Sequence, residues 1–412
     1  MAASLHSRVL SNGLTLVAEG IPSVRSAAFQ FVVPAGATTD PEAHCGVCGV
    51  LEGMSYRGAG SRSARELSQA LDGLGIQRSG GAELECVTYG ASLLADDLNA
   101  ALEIYSDILL RPTFPDSQLQ PEVDLALQKL DRLEDNPAEK LFLAMRRQYY
   151  PGAYGRSALG TREGLRSLSL ECVRTEHARR YRPDGSILAL AGRFDFESVV
   201  AHLEKLLSNW TGKARQVESA RSVETSQYLH IEQPANQQQI GVMYPGVSVE
   251  HPDYYVLRMA IAALSGGMSA RLFTELREKR GLCYAVRASL ITVKGDGAVL
   301  SYVGTTPEQC QTSLDVLMAE HRRLAEGVSQ DELDRARTGV LSSLVMQGEA
   351  TRARALHLAR DQMLLGRVRP LDEIRARLME VTPERIYEYL QAHPLERCTI
   401  VSLGPTRLEV SL

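Results

Sequence analysis

The sequence predicts an α+β protein of two similar halves, each a mostly antiparallel sheet with helices packed on one face. Three observations carry this. A local pattern recurs at half the chain length, each half runs through strands before a series of helices, and a polar, aperiodic stretch lies between them. "SARELSQALDGLGI" begins at Ser63 and "SARLFTELREKRGL" at Ser269, 206 residues later in a 412-residue chain. Both open with Ser-Ala-Arg, continue as an amphipathic pattern and reach a glycine, Gly75 and Gly281. At a slightly larger shift, "SLECV" at Ser169 matches "TPERI" at Thr382 as a helix start, and "ILALAG" at Ile187 matches "TIVSLG" at Thr399 as a strand.

The elements follow in order. Arg8–Leu10 and Leu14–Ala18 read as a hairpin turning at Asn12-Gly13. Apolar runs at Ser26–Val33 and Cys86–Leu94 in the first half, and at Gln237–Tyr244, Tyr284–Thr292 and Ala298–Val303 in the second, read as strands. The polar segment Asn209–Ser226 is the expected boundary, giving halves 1–212 and 227–412 joined by a linker at 213–226.

Composition narrows the function classes. With 44% hydrophobic and 23% charged residues the chain looks globular and soluble. A formal net charge of −5 gives no reason to expect nucleic acid or an anionic membrane as partner. No apolar run reaches the ~18 residues of a membrane span, and the opening residues lack a signal-peptide layout. Seven scattered cysteines favour a reducing compartment, so a cytoplasmic location is expected.

One stretch raises a chemical question. In "GVCGVLEGMSYRG", from Gly46, the residues Val47, Val50, Leu51 and Met54 recur at helical spacing and face a core. Asp40-Pro41 is a start signal, and Gly58-Ala59-Gly60 a stop. Gly46, Gly49 and Gly53 then fall on a bare stripe beside Glu52, although each interior glycine costs roughly 1 kcal/mol against alanine. His44-Cys45-x-x-Cys48 resembles half of a metal or redox motif, but no second pair exists and the structural reading is preferred. The remaining histidines show no ligand spacing, and no phosphate loop or Ser-His-Asp order appears.

The ordered fragments "SNGLTLVAEGIPSVRSAAFQFVVPAGA", "ILLRPTFPDSQLQPEV", "LEDNP", "YGRSALGT", "YRPDGSILALAGRFD" and "GGMSARLFTELREKRGLCYAV" span nearly the whole chain. They resemble the insulinase/pitrilysin-type zinc peptidases, or inverzincins, in particular the short bacterial relatives of mitochondrial processing peptidase. Active members carry His-x-x-Glu-His on one helix and a ligating glutamate on a later one. Two histidines four apart reach one zinc, and the glutamate between them deprotonates its water.

Here the resemblance places Gly49, Glu52 and Gly53 on that motif and Lys129 at the third ligand, so only the base position, Glu52, survives. Two accounts of the glycines stay open: drift after loss of activity, or a groove kept for close backbone approach. Glu52 is expected to pair with Lys129. In the second half, Arg277 and Tyr284 match the family's substrate-holding arginine and tyrosine, seven residues apart; the repeat counterparts are Leu71 and Arg78. The resemblance thus implies a non-catalytic subunit, without a cofactor of its own, forming half of a peptide chamber in a heterodimer. The homologous partner would supply the zinc. The alternatives are a scaffold, or a homodimeric peptide-binding protein with no part in proteolysis.

Overall fold

The structure, a computed structural model, describes residues 4–214 and 219–410. It divides into two compact units that are not contiguous in sequence. Residues 1–132, 156–218 and 347–368 form the first, and residues 133–155, 219–346 and 369–412 the second. The expected linker 213–226 falls partly outside the described residues.

The strands of the first unit are β1 (Ser4–Val9), β2 (Thr15–Gly20), β3 (Ser26–Val33), a two-stranded ribbon of β4 (Gly58–Ala59) and β5 (Arg62–Ser63), then β6 (Gln77–Ala82), β7 (Val87–Leu94) and β8 (Ile187–Gly192). Six of them form one sheet in the order β1-β2-β8-β3-β7-β6, antiparallel except for β2 and β8. In the second unit, β9 (Gln227–Glu232), β10 (Gln238–Pro245), β11 (Cys283–Val293), β12 (Asp296–Thr305) and β13 (Thr399–Gly404) are ordered β11-β12-β10-β13-β9, with only β13 and β9 parallel. Read from its far edge, this sheet repeats the first one strand for strand, without a counterpart of β1. The internal repeat is therefore a repeat of topology, including the position of the parallel pair.

The first unit's helices are α1 (Val47–Ser55), α2 (Ala64–Gly73), α3 (Leu98–Leu110) and α4 (Asp116–Arg132). After α5 (Pro137–Tyr149), which belongs to the second unit, come α6 (Arg162–Arg166), α7 (Leu170–Arg180) and α8 (Phe196–Leu206). The second unit continues with α9 (Tyr254–Ser265), α10 (Cys310–Leu324) and α11 (Gln330–Gly348). Then α12 (Thr351–Leu365) joins the first unit, and α13 (Leu371–Met379) and α14 (Pro383–Ala392) the second. Local signals explain several starts. Ser63 and Glu66 form a reciprocal cap on α2, while Ser169 and Thr382 cap α7 and α14, as their matched sequences imply.

Strand alternation gives the first sheet two buried faces. Leu16, Phe29, Phe31, Leu188 and Leu190 point into the main core with α1 and α3. Val17, Ala28, Val32, Ala189 and Ala191 point the other way, against Ala355, Leu358 and Ala359 of α12. The expectation of helices on one face holds for most of them, and α12 is the addition. The second sheet has the same arrangement, with α5 lying on β10 and β13. Gly241 of β10 makes room there, since a Cβ would come within 2.7 Å of Met145. Each sheet is thus covered on its second face by a helix from the other half of the sequence. Among the described residues no helix is long and apolar enough to cross a membrane.

Candidate functional site

The bare stripe lies on α1, which starts later than Asp40-Pro41 suggests. Residues Glu42–His44 make only a 3₁₀ turn, and Gly46 then breaks the run with φ +101°. A Cβ on Gly46 would sit 2.8 Å from Leu165 and 2.9 Å from the Gly160 Cα, so glycine is required there on both counts. Asp40 still fixes the helix start. Its Oδ2 accepts the Gly46 N–H at 2.7 Å, and its Oδ1 pairs with Arg180 Nη1 at 2.7 Å. Arg180 Nε also donates to Glu176 at 2.7 Å. Val47, Val50, Leu51 and Met54 are all buried, as the spacing requires.

Glu52 and Gly53 face α4, which presents Glu122 and Lys129, two turns apart, toward the same side, whereas Gly49 faces Ala158. A Cβ on Gly49 would approach the Ala158 carbonyl oxygen at 3.2 Å. One on Gly53 would overlap the carboxylate of Glu122, which is buried and paired with Arg57. Glu122 therefore fills the space beside Gly53.

The expected ion pair between Glu52 and Lys129 does not form. Among the described residues Glu52 has no hydrogen bond or ion pair, and Lys129 is exposed. Lys129 acts only from a distance. Burial pushes the Glu52 carboxyl up to about 7 against the pull of Lys129; Glu122 adds to the rise and Arg78 opposes it. An exposed lysine forms a weak pair at best, which is why the ammonium stays hydrated.

Sequence reasoning missed the other walls of this recess. Arg78, on β6, lies over the ring of Tyr56 at 5.7 Å. Tyr56 in turn packs beside Tyr89, and the hydroxyls of Tyr89 and Tyr181 are 2.7 Å apart. Burial holds the hydroxyls of Tyr89, Tyr105 and Tyr181 protonated, with Glu52 adding to each rise. The spacing of Glu122 to Lys129, seven residues on one helix, was the one available signal for Glu122.

These residues do not fit a zinc ion. Glycine at 49 and 53 offers no ligand atom, and Lys129 carries the wrong charge. Among the described residues no group of three or more His, Cys, Asp or Glu side chains is placed to hold a metal. His44 bonds Ser167 at 2.8 Å and Cys48 is buried, in keeping with the structural reading of that motif.

Arg277 and Tyr284 both lie in the second unit. Arg277 sits on a π-helical turn, Phe273–Glu278, exposed, with its guanidinium 4.9 Å from the centre of the Phe273 ring. Tyr284 sits at a bulge at the start of β11 and is 46% exposed. Its hydroxyl donates to Gln237 Oε1 at 2.9 Å and lies 3.3 Å from Gln239 Nε2. Among the described residues the two side chains make no hydrogen bond to each other.

Known proteins match over this whole arrangement. A family model described as insulinase, peptidase family M16, matches residues 15–162, and one described as the peptidase M16 inactive domain matches residues 167–340. A Bacillus subtilis protein named as an uncharacterized zinc protease is 27% identical over 377 residues, covering 91% of this chain and 92% of the relative. A Streptomyces coelicolor protein of the same description is 28% identical over 420 residues, covering 98% and 90%. A crystal structure of a peptidase M16 inactive domain from Pseudomonas fluorescens has a TM-score of 0.91 at 22% identity, covering 99% of this chain and all 100% of that one. A protease from Helicobacter pylori has a TM-score of 0.88 at 16% identity, covering 98% and 100%. The fold is thus the two-domain fold of the M16 peptidases. The chain belongs to the insulinase family, peptidase family M16.

Proposed function

We propose that this chain is the non-catalytic subunit of a two-chain zinc endopeptidase. It forms half of the substrate chamber and positions peptide for a homologous, zinc-bearing partner. The observation that carries this reading is a helix frame kept intact around emptied ligand positions. Asp40 and Arg180 still anchor α1 and Glu52 still occupies the base position, while Gly49, Gly53 and Lys129 offer no zinc ligand. Arg277 and Tyr284 are the residues that hold peptide, a guanidinium and a phenol donor being suited to a peptide carbonyl.

A second reading, a scaffold with no part in proteolysis, draws on the engaged state of that pair. The Tyr284 hydroxyl already has two glutamine partners, and Arg277 already lies on Phe273. One experiment separates the two. The chain is mixed with a homologous subunit carrying intact His-x-x-Glu-His, and peptide turnover is measured with Arg277→Ala and Tyr284→Phe. The subunit reading expects turnover to fall by roughly 10²–10³ with the partner's zinc content unchanged. Full activity with both residues changed would leave the scaffold.

A further inference from the structure

A second recess lies entirely among residues of the second unit. It has a volume of about 500 Å³, within the range of small-molecule sites, and Arg221, Ser222, Glu224, Asp296 and Arg397 line it. Three parts of the unit converge there. Asp296 follows the turn of the β11–β12 hairpin, Arg397 precedes β13, and the segment through Ser222 is pinned by the Val223 N–H on the Tyr149 carbonyl at 3.0 Å.

Behind this lining lie two buried phenols. Tyr149 and Tyr150, at the end of α5, are 2% and 1% exposed, with rings stacked edge to face at 4.8 Å. Among the described residues, their hydroxyls and Oδ2 of Asp296 are buried without a hydrogen bond of good geometry. Ser222 is the polar neighbour of the Tyr149 hydroxyl, and Asp296 that of the Tyr150 hydroxyl. Such orphaned buried groups cost roughly 1–3 kcal/mol each unless something satisfies them.

The charges around the recess are balanced and held apart. Arg221 and Arg397 form no ion pair among the described residues, and Asp296 makes none with either. Burial pushes Asp296 up and the Tyr149 hydroxyl up to about 12, so both phenols are donors at neutral pH. A purely anionic ligand would meet Asp296 and Glu224, and a purely cationic one would meet the two arginines. A molecule bearing both charges satisfies all of them.

We propose that this recess binds a small zwitterion, an α-amino acid or a dipeptide, with its ammonium on Asp296 and its carboxylate on Arg397 and Arg221. The inference does not depend on the subunit reading above, since it uses neither α1 nor the Arg277–Tyr284 pair.

Calorimetric titration of the full chain tests it with L-alanine, L-alanyl-L-alanine, N-acetyl-L-alanine, L-alaninamide and inorganic phosphate. Saturable binding is expected for alanine, the dipeptide or both, and which of them binds separates a free amino acid from a peptide product. Each singly blocked form should bind at least about tenfold more weakly, since each lacks one charge-assisted contact. Asp296→Asn and Arg397→Gln should each weaken the zwitterion by a similar factor, and if either variant fails to fold, the blocked ligands on the unaltered chain still decide. Phosphate or a blocked form binding as tightly as the zwitterion would overturn the proposal. So would no saturable binding.

Discussion

The carboxylate of Glu122 occupies the space that a side chain on Gly53 would take, and the ion pair to Arg57 holds it there. The stripe on α1 is therefore bare only in sequence; in the fold, α4 covers part of it. This sets a sign for an otherwise ambiguous substitution. Gly53→Ala should gain about 1 kcal/mol of helix propensity yet lose more by displacing Glu122 from Arg57, for a net loss of roughly 1 kcal/mol. In a Glu122→Ala background the same change should become neutral or stabilising. Denaturant unfolding of the four chains checks this, and strict additivity of the two changes would refute the contact.

Zinc should stay absent from the unaltered chain and become bindable only when all three positions are rebuilt. Gly49→His, Gly53→His and Lys129→Glu together restore two imidazoles and a carboxylate beside the retained Glu52. Gly53→His must also move Glu122, so affinity should be modest. Elemental analysis after dialysis should find no zinc in the unaltered chain and close to one equivalent in the triple variant. Stoichiometric zinc in the unaltered chain would contradict the reading of this site.

Glu52 gives a pH dependence of definite sign. Its folded value, about 7, stands above the ordinary 4.5, so between those values the folded chain binds the extra proton. Stability then falls as pH rises through that window and stays lowered above it. The full shift corresponds to about 3 kcal/mol, which solvent access reduces to roughly 1–2. Glu52→Gln should remove that slope and be the more stable chain above pH 7, whereas Arg78→Gln, by removing an opposing cation, should steepen it. Arg78, the repeat counterpart of Tyr284, is thus a participant in this recess. Parallel pH–stability curves for the unaltered and Glu52→Gln chains would count against the raised carboxyl.

Much of this was legible in the sequence, and what was not has local causes. Strands such as Ser26–Val33 and Thr399–Gly404 are apolar runs whose bounds were readable directly. The start of α1 was not, because Asp40-Pro41 is a good cap signal in isolation. Only tertiary packing against Leu165 and Gly160 reveals why Gly46 breaks the chain there. The Glu52–Lys129 pair failed because proximity in a family motif places side chains near a common point without bringing an exposed ammonium out of water. The exchange of α5 and α12 was hidden for another reason. Helical periodicity shows that a face is apolar, but it does not say which sheet will cover it.

The exchange makes the most direct prediction. A fragment ending at residue 214 contains every strand of the first sheet but lacks α12. Val17, Ala28, Val32, Ala189 and Ala191 would lose the cover of Ala355, Leu358 and Ala359. Glu19 would also lose Arg354, and the Ser26 hydroxyl would lose Thr351. Uncovering that face should cost roughly 5 kcal/mol, comparable with the whole stability of an ordinary domain. The fragment alone should therefore be aggregated or expanded, since its uncovered strands form a flat apolar surface. Joining residues 347–368 to it through a flexible linker should restore a cooperative transition, because the lost contacts lie on that segment. Circular dichroism melts and size-exclusion elution of the two fragments decide the matter. If the shorter fragment unfolded as cooperatively, and at the same temperature, as the one carrying α12, the helix would be an accessory to the first unit and not part of its core.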